Sequence, residues 1–214
     1  MKELFYKGRI CHVFNRSIAH FKIFKYKIEF ERFLNLLEYY NEDPKISYSD
    51  FNKKGQRFSP VGLMRQKNSQ IVRVLGYCIM PDHYHVIIKP IRDNEQVIRY
   101  FSRVENAYAM YFNNKTNRHG HLWGCTFKFV TVRSNRQFTC LTKYIHRNPL
   151  KARLVDDVIK WEFSSIHDYL DKYVLKKLRG ILIDSPKKYL EFVNLSKDFD
   201  EELLELNTKN ILID

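Results

Sequence analysis

The chain has 214 residues, enough for one sizeable domain with an appendage and a real apolar core. Hydrophobic residues make up 44% and aromatics 15%, which excludes a disordered chain, and only seven glycines and six prolines exclude long linkers. A formal net charge of +13 repels itself and calls for an anionic partner, nucleic acid before membrane, because no basic amphipathic helix stands apart as a surface anchor.

In chain order, "ICHVFN" (10–15) alternates as a strand does. "KYKIEFERFLNLLEYY" (25–40) places Ile28, Phe33, Leu36, Leu37 and Tyr40 near a 3.6 period, which predicts a helix. Residues 41–70 are polar, basic and interrupted by Pro44, Gly55 and Pro60, so an inserted loop with a short helix is expected. "IVRVLGYCIM" (71–80) and "HYHVIIKP" (83–90) read as a hairpin turning at Pro81-Asp82. Asp93 and Gln96 resemble a capping box, and the stripe Val97, Phe101, Val104, Tyr108, Tyr111 predicts a helix to about residue 113. "FKFVTV" (127–132) is a further strand. Ser134 and Gln137 form a second capping box, opening a helix that Pro149 is expected to end. "YLEFVNL" and "FDEELLELN" predict one or two helices near the C-terminus. The order β-α-β-β-α-β-α suits an α+β fold, a ferredoxin-like antiparallel sheet with helices on one face, followed by a C-terminal helical extension. We therefore divide the chain into a unit at 1–170, carrying 41–70 as an insertion, and the extension at 171–214.

Cys11, Cys78, Cys125 and Cys140 are scattered, with no C-x-x-C pair, so neither a disulfide framework nor a zinc finger is expected. No leader-type apolar segment opens the chain and no apolar run approaches the ~20 residues of a membrane span. A reduced, cytoplasmic protein with no membrane partner is the expectation.

His83 and His85 lie two apart in a strand and so project side by side. That spacing alone leaves two readings open, a solvated strand face and two ligands of one ion. Tyr144 and Asn148, four apart, share one helical face. Two imidazoles and an amide oxygen with open positions suit a divalent cation, Mg²⁺ or Mn²⁺, and a phenol beside it suits a nucleophile. Composition alone favours Tyr144 as one more core aromatic among fourteen tyrosines.

Longer blocks tip that balance. "MPDHYHVIIKP" (80–90) resembles the HUH motif of single-tyrosine transposases, usually M-P-N-H-x-H-L-L. "YIHRNPLKARLV" (144–155) resembles the Y-I-H-x-N-P-V-R-A-G-L-V block of the REP-associated tyrosine transposase branch. "HVFNRS" resembles its H-V-x-x-R-G, "GHLWGCTFK" (120–128) its G-H-L-W-Q-x-R-F-K, and "WEFSSIHDY" (161–169) its Y-x-W-S-S-x-x-Y. The resemblance implies a metal-dependent, HUH endonuclease-like enzyme acting on single-stranded or hairpin DNA, usually as a homodimer. It places the metal ligands on His83, His85 and Asn148 and the nucleophile on Tyr144, which would form a 5′-phosphotyrosine and free a 3′-hydroxyl. Three departures stand out. Asp82 replaces Asn before the first histidine and could orient it; Arg153 stands where Gly is common, at a helix end; Cys125-Thr126 replace Gln-x-Arg. A replication-initiator or relaxase-like nickase, or a domesticated single-stranded DNA-binding protein without turnover, are the alternative functions.

His119 and His121 form a second H-x-H, but Gly120 between them leaves a loop, for which a DNA-facing or turn role is expected. Tyr108 and Tyr111 are rival nucleophiles, but both sit on an apolar stripe. Tyr84 should face away from the histidine pair, and His146, roughly 200° around the helix from Tyr144, should point elsewhere. Lys22, Lys25, Lys27, Lys53, Lys54, Arg57, Lys151 and Arg153 are the basic candidates for DNA contact. Phe21, Phe24 and Tyr26 could stack on bases or fill the core, and the core is favoured.

Overall fold

The computed structural model describes residues 4–55, 58, 62–65, 69–178 and 180–195. Four strands, β1 (Cys11–Arg16), β2 (Val72–Ile79), β3 (His83–Pro90) and β4 (Lys128–Thr131), form an antiparallel sheet in the order β2-β3-β1-β4. This is the expected ferredoxin-like order. The helices are α1 (Lys27–Tyr40), α2 (Tyr48–Lys53), α3 (Asn94–Thr116), α4 (Asn135–Lys151), α5 (Ile166–Tyr169), α6 (Lys172–Lys177) and α7 (Pro186–Asn194).

Local chemistry sets the helix starts. The Asp93 carboxylate accepts from the Gln96 amide (2.9 Å), and Ser134 Oγ accepts from the Gln137 amide (3.0 Å), as the capping pattern predicts. The Glu29 carboxylate caps α1 by accepting from the Lys25 and Tyr26 amides (2.6 and 3.0 Å). On α1, Ile28 is 60% exposed, and Phe30 rather than Ile28 joins Phe33, Leu36 and Leu37 in the core. Asn41 binds the start of β2 through both ends of its amide, accepting from the Ile71 and Val72 amides and donating to the Val72 carbonyl.

Pro149 does not end α4, which continues to Lys151. A proline in the last turn removes a single intrahelical bond, and the turn is closed downstream instead. The Leu154 amide donates to the Pro149 carbonyl (2.9 Å) and the Arg153 amide to the Leu150 carbonyl (3.0 Å), with Arg153 in the left-handed region at φ 55°. These are the two bonds of a Schellman cap.

Strand alternation divides the sheet into two faces. Val13, Tyr84, Val86 and Ile88 pack with Phe33, Leu36, Phe101 and Tyr108 of α1 and α3 in one core. Leu75, Cys78 and Ile87 on the other face pack with Leu141, Tyr144 and Ile145 of α4, and with Tyr169, Leu175, Tyr189 and Val193 of α5 to α7. The one-face arrangement thus holds for α1 and α3 of the ferredoxin-like unit, while α4 and the extension cover the opposite face. Each fully buried large apolar side chain contributes about 1.5–3 kcal/mol, so both faces are held firmly.

The second face carries the histidines, and α7 is locked to α4 there. His146 contacts the Tyr189 hydroxyl through Nδ1 (2.7 Å) and Ser165 Oγ through Nε2 (2.8 Å), pointing away from the histidine pair as expected. Burial pushes its pKa down to about 3, so the ring is neutral. Residues 196–214, including the predicted "FDEELLELN" helix, and Arg57 lie outside the described residues.

Candidate active site

The site begins at the β2–β3 turn, which backbone bonds fix in place. The Met80 amide donates to the His83 carbonyl, Ile23 and Phe24 amides donate to the Pro81 carbonyl, and the Ser17 amide donates to the Asp82 carbonyl, all at 2.8–2.9 Å. β3 starts immediately after, so His83 and His85 share the α4 face. Their ring centroids are 5.0 Å apart. The ring of Tyr144, on α4, meets the His85 ring edge-on at 5.5 Å.

Each histidine has its Nδ1 engaged. His83 Nδ1 lies 2.6 Å from Asp82 Oδ1, and His85 Nδ1 lies 3.0 Å from His12 Nε2. An Nδ1–H donated to a partner puts the free lone pair on Nε2. The His85 Nε2 atom is buried and has no hydrogen-bond partner. The Asn148 Nδ2 atom, one turn beyond Tyr144, is likewise buried and unpartnered. Leaving such groups unmatched costs about 1–3 kcal/mol each. A divalent cation fits this donor set: two neutral imidazoles and an amide whose oxygen and nitrogen exchange on a 180° flip. Among the described residues, no three His, Cys, Asp or Glu side chains form a group that could hold a metal ion.

Electrostatics agree with neutral rings. Burial lowers the His83 pKa despite the opposing pull of Asp82, and burial next to His83, His12 and Arg16 drives that of His85 well below the ordinary value. Burial would raise the Asp82 carboxyl, but the His83 hydrogen bond and the charge of Arg16, 3.5 Å away, hold it below the usual carboxylate range. Asp82 therefore stays ionised and orients His83. The cluster is nearly enclosed: His83 and Asn148 are each 7% exposed, Tyr144 2% and His85 0%.

The rival residues lie elsewhere. Tyr84 faces the α1/α3 core and donates to Glu105 (2.8 Å), and Tyr108 donates to the Ile23 carbonyl (2.8 Å). His119 and His121 are exposed in the loop after α3. Lys22, Lys25, Lys27, Lys53, Lys54, Lys151 and Arg153 are all exposed, and Lys27 is paired with Glu162 at 2.5 Å. Phe24 is core as expected, but Phe21 and Tyr26 are 46% and 67% exposed, because only Phe24 turns inward toward Phe33 and Tyr108. Sequence reasoning missed His12 and Arg16 as parts of the site. Their signal was the "HVFNRS" block, whose first and fifth residues they are.

Residues 59–148 match the family model of IS200-like transposases, a span that takes in both histidines and Tyr144 and closes on Asn148. A curated Haemophilus influenzae protein assigned as a REP-associated tyrosine transposase is 29% identical over 102 residues, covering 44% of this chain and 58% of that protein. The chain thus spans little more than half of that curated relative. A solved structure of a REP-associated tyrosine transposase bound to a REP hairpin matches with a TM-score of 0.54 at 14% identity, over 93% of this chain and 92% of the other. At that identity the likeness is one of fold, and it extends well past the IS200-like segment into the helices that follow.

Proposed function

We propose that this protein is a metal-dependent DNA strand transferase that cuts single-stranded, hairpin-bearing ends and holds them as a 5′-phosphotyrosine. The observation that carries the proposal is the pair of β3 imidazoles with both Nδ1 atoms occupied, beside a tyrosine and an unpartnered amide on α4. His83, His85 and Asn148 would hold Mg²⁺ or Mn²⁺. Such an ion, when bound, polarises a phosphate oxygen and neutralises charge developing on the phosphate.

The chain's own groups do the rest. Asp82 and His12 keep the two imidazoles in the tautomer that offers Nε2. Tyr144 loses its phenolic proton and attacks phosphorus; the Tyr144 O–P bond forms as the P–O3′ bond breaks, and the departing 3′-oxygen gains a proton. Attack of a 3′-hydroxyl on the phosphotyrosine reverses the step and joins strands, with the bond energy conserved. The match to a protein bound to a REP hairpin supports a hairpin as the DNA form. The +13 charge supports an anionic polymer. Action as a homodimer belongs to the same proposal, and sedimentation of the protein with and without DNA checks it.

The near-complete burial of Tyr144 favours a second reading, a single-stranded DNA-binding protein without turnover. One experiment separates the two. Wild type and Tyr144→Phe are incubated with labelled hairpin DNA from the gene's own flanks, with Mg²⁺, with Mn²⁺ and with a chelator. A protein–DNA adduct that survives denaturation, needs metal and vanishes in Tyr144→Phe establishes the strand transferase. Binding without any adduct on several flanking hairpins establishes the binder.

A further inference from the structure

The sheet face that carries the histidines also carries Arg16. It ends β1 directly opposite His83 in the β1–β3 register, so the two side chains leave the sheet on the same side. The backbone of Arg16 is pinned at both ends of the residue. Its amide donates to Asn15 Oδ1 and its carbonyl accepts from the Gly124 amide, each at 2.9 Å. The side chain is 17% exposed and reaches Asp82, the carboxylate that orients His83.

The guanidinium does not close on that carboxylate. Asp82 Oδ1 lies 2.6 Å from His83 Nδ1, while Oδ2 lies 3.5 Å from Arg16 Nε and 3.7 Å from the open ring of His20. An arginine built to bind the carboxylate would meet it as a fork at about 2.7–2.9 Å. Instead Arg16 Nε is buried without a hydrogen-bond partner. Charge points the same way. After burial, Arg16 is among the causes that hold the His83 and His85 pKa values down, so its field reaches both rings. A divalent ion on those rings would add two positive charges to Arg16 against the one carboxylate of Asp82, leaving two uncompensated. A fixed cation beside a cation site is repulsive until an anion lies between them. A phosphodiester supplies one negative charge and an ionised Tyr144 the other.

We propose that Arg16 is a catalytic residue, whose guanidinium holds a non-bridging oxygen of the phosphate that Tyr144 attacks. The inference rests on the strand-transfer reading above and adds to it the protein group that meets the charge developing on that phosphate. Arg16 only donates hydrogen bonds, so no proton passes through it and the bonds made and broken are those already given. A phosphate shared by Arg16 and the metal turns their repulsion into a common attraction, so DNA and metal tighten each other's binding.

Calorimetric titration of Mn²⁺ tests this without any cleavage. The metal is added to Tyr144→Phe, which lacks the proposed nucleophile, and to Tyr144→Phe/Arg16→Gln, each with and without the flanking hairpin DNA. Without DNA, Arg16→Gln should leave Mn²⁺ binding as tight or tighten it about threefold, because a like charge is gone. DNA should tighten Mn²⁺ binding at least about tenfold in Tyr144→Phe, but about threefold or less in the double variant. In the otherwise native chain, Arg16→Gln should slow adduct formation by about 10²–10³. Arg16→Met keeps the apolar stem and gives the same readings should the glutamine variant fail to fold. Weaker Mn²⁺ binding to the DNA-free double variant would make Arg16 a prop for Asp82 and His83 and overturn the proposal. Equal tightening by DNA in the two proteins, or none in either, overturns it as well, as does an adduct rate that Arg16→Gln leaves unchanged. Tightening that depends on Arg16, without any adduct in wild type, would keep the phosphate contact and sink the cleavage mechanism. A wild-type adduct with tightening independent of Arg16 would do the reverse.

Discussion

His12 sits opposite Ile87 in the β1–β3 register, and so diagonal to His85, close enough for the 3.0 Å bond between their rings. That bond holds the His85 ring with its Nδ1 turned toward β1. His12→Phe should keep the fold, since Phe14 and other aromatics already line that face, but weaken Mn²⁺ binding by about 10- to 100-fold. Calorimetric titration of metal into both proteins checks it, and an unchanged affinity would remove His12 from the site. The histidine pair was visible in the sequence because strand alternation is local. His12 was not assigned a role, because its partner lies 73 positions away and only the strand register brings them together. Arg153 is the opposite case, a substitution whose effect is local. Its φ of 55° at the end of α4 is the left-handed conformation that glycine adopts without strain. Arg153→Gly should therefore stabilise the protein by about 1 kcal/mol in a denaturant titration. If Arg153 also contacts DNA, the same variant would weaken DNA binding while raising stability.

At the scale of elements, the helix starts and the hairpin were legible because capping residues and alternation act over three or four positions. What periodicity could not supply was the packing partner. The apolar stripe of α4 faces the sheet from the side opposite α1 and α3, and nothing within α4 says which face it covers. The decisive local feature is Gly76, at an irregularity in the β2–β3 register. A Cβ there would lie 3.3 Å from Tyr169 Oη, 3.4 Å from Ile145 Cδ1 and 3.5 Å from Ser165 Oγ. Two of those neighbours cannot easily retreat. The Tyr169 hydroxyl is tied to the Leu75 carbonyl at 2.6 Å, and Ser165 Oγ accepts from the Tyr77 amide at 2.8 Å. Gly76 therefore lets α4 approach the sheet, which in turn brings Tyr144 to His85. Gly76→Ala should destabilise by about 1–2 kcal/mol, the overpacking cost less the entropy gained in the unfolded chain. It should also reduce adduct formation, because Tyr144 moves with α4; thermal unfolding and the adduct assay read the two effects separately.

For the whole molecule, buried titrating groups on opposite faces of the sheet shape the stability profile with pH, and His146 and Glu105 act in opposite directions. His146, locked between Tyr189 and Ser165, has its pKa pushed by burial from an ordinary 6.5 to about 3. Below pH 6.5 the unfolded chain takes up a proton that the folded chain refuses, so stability falls as pH drops from 6.5 toward 3. One such group gives a slope of at most about 1.4 kcal/mol per pH unit. Glu105 accepts from Asn15 and from Tyr84, and burial raises its pKa from 4.5 to about 7. There the folded chain holds the extra proton, so stability falls as pH rises from 4.5 to 7. Between about pH 4.5 and 6.5 the carboxyl offsets one histidine's slope, while His83 and His85, held neutral by burial, add to that of His146. Below 4.5 the histidine acts without that counterweight and stability should fall away; from 6.5 to 7 only the carboxyl contributes, and a small decline is expected. Glu105→Gln keeps an acceptor for Asn15 and Tyr84 but removes the proton linkage, so it should be more stable than wild type above pH 7, on the order of 1 kcal/mol. In the range 4.5–6.5 it should steepen the histidine slope that wild type partly conceals. Urea titrations of both proteins from pH 4 to 8 test this directly. A flat Glu105→Gln profile between pH 4.5 and 6.5 would show that the buried histidines, His146 among them, take up their protons in the folded state after all.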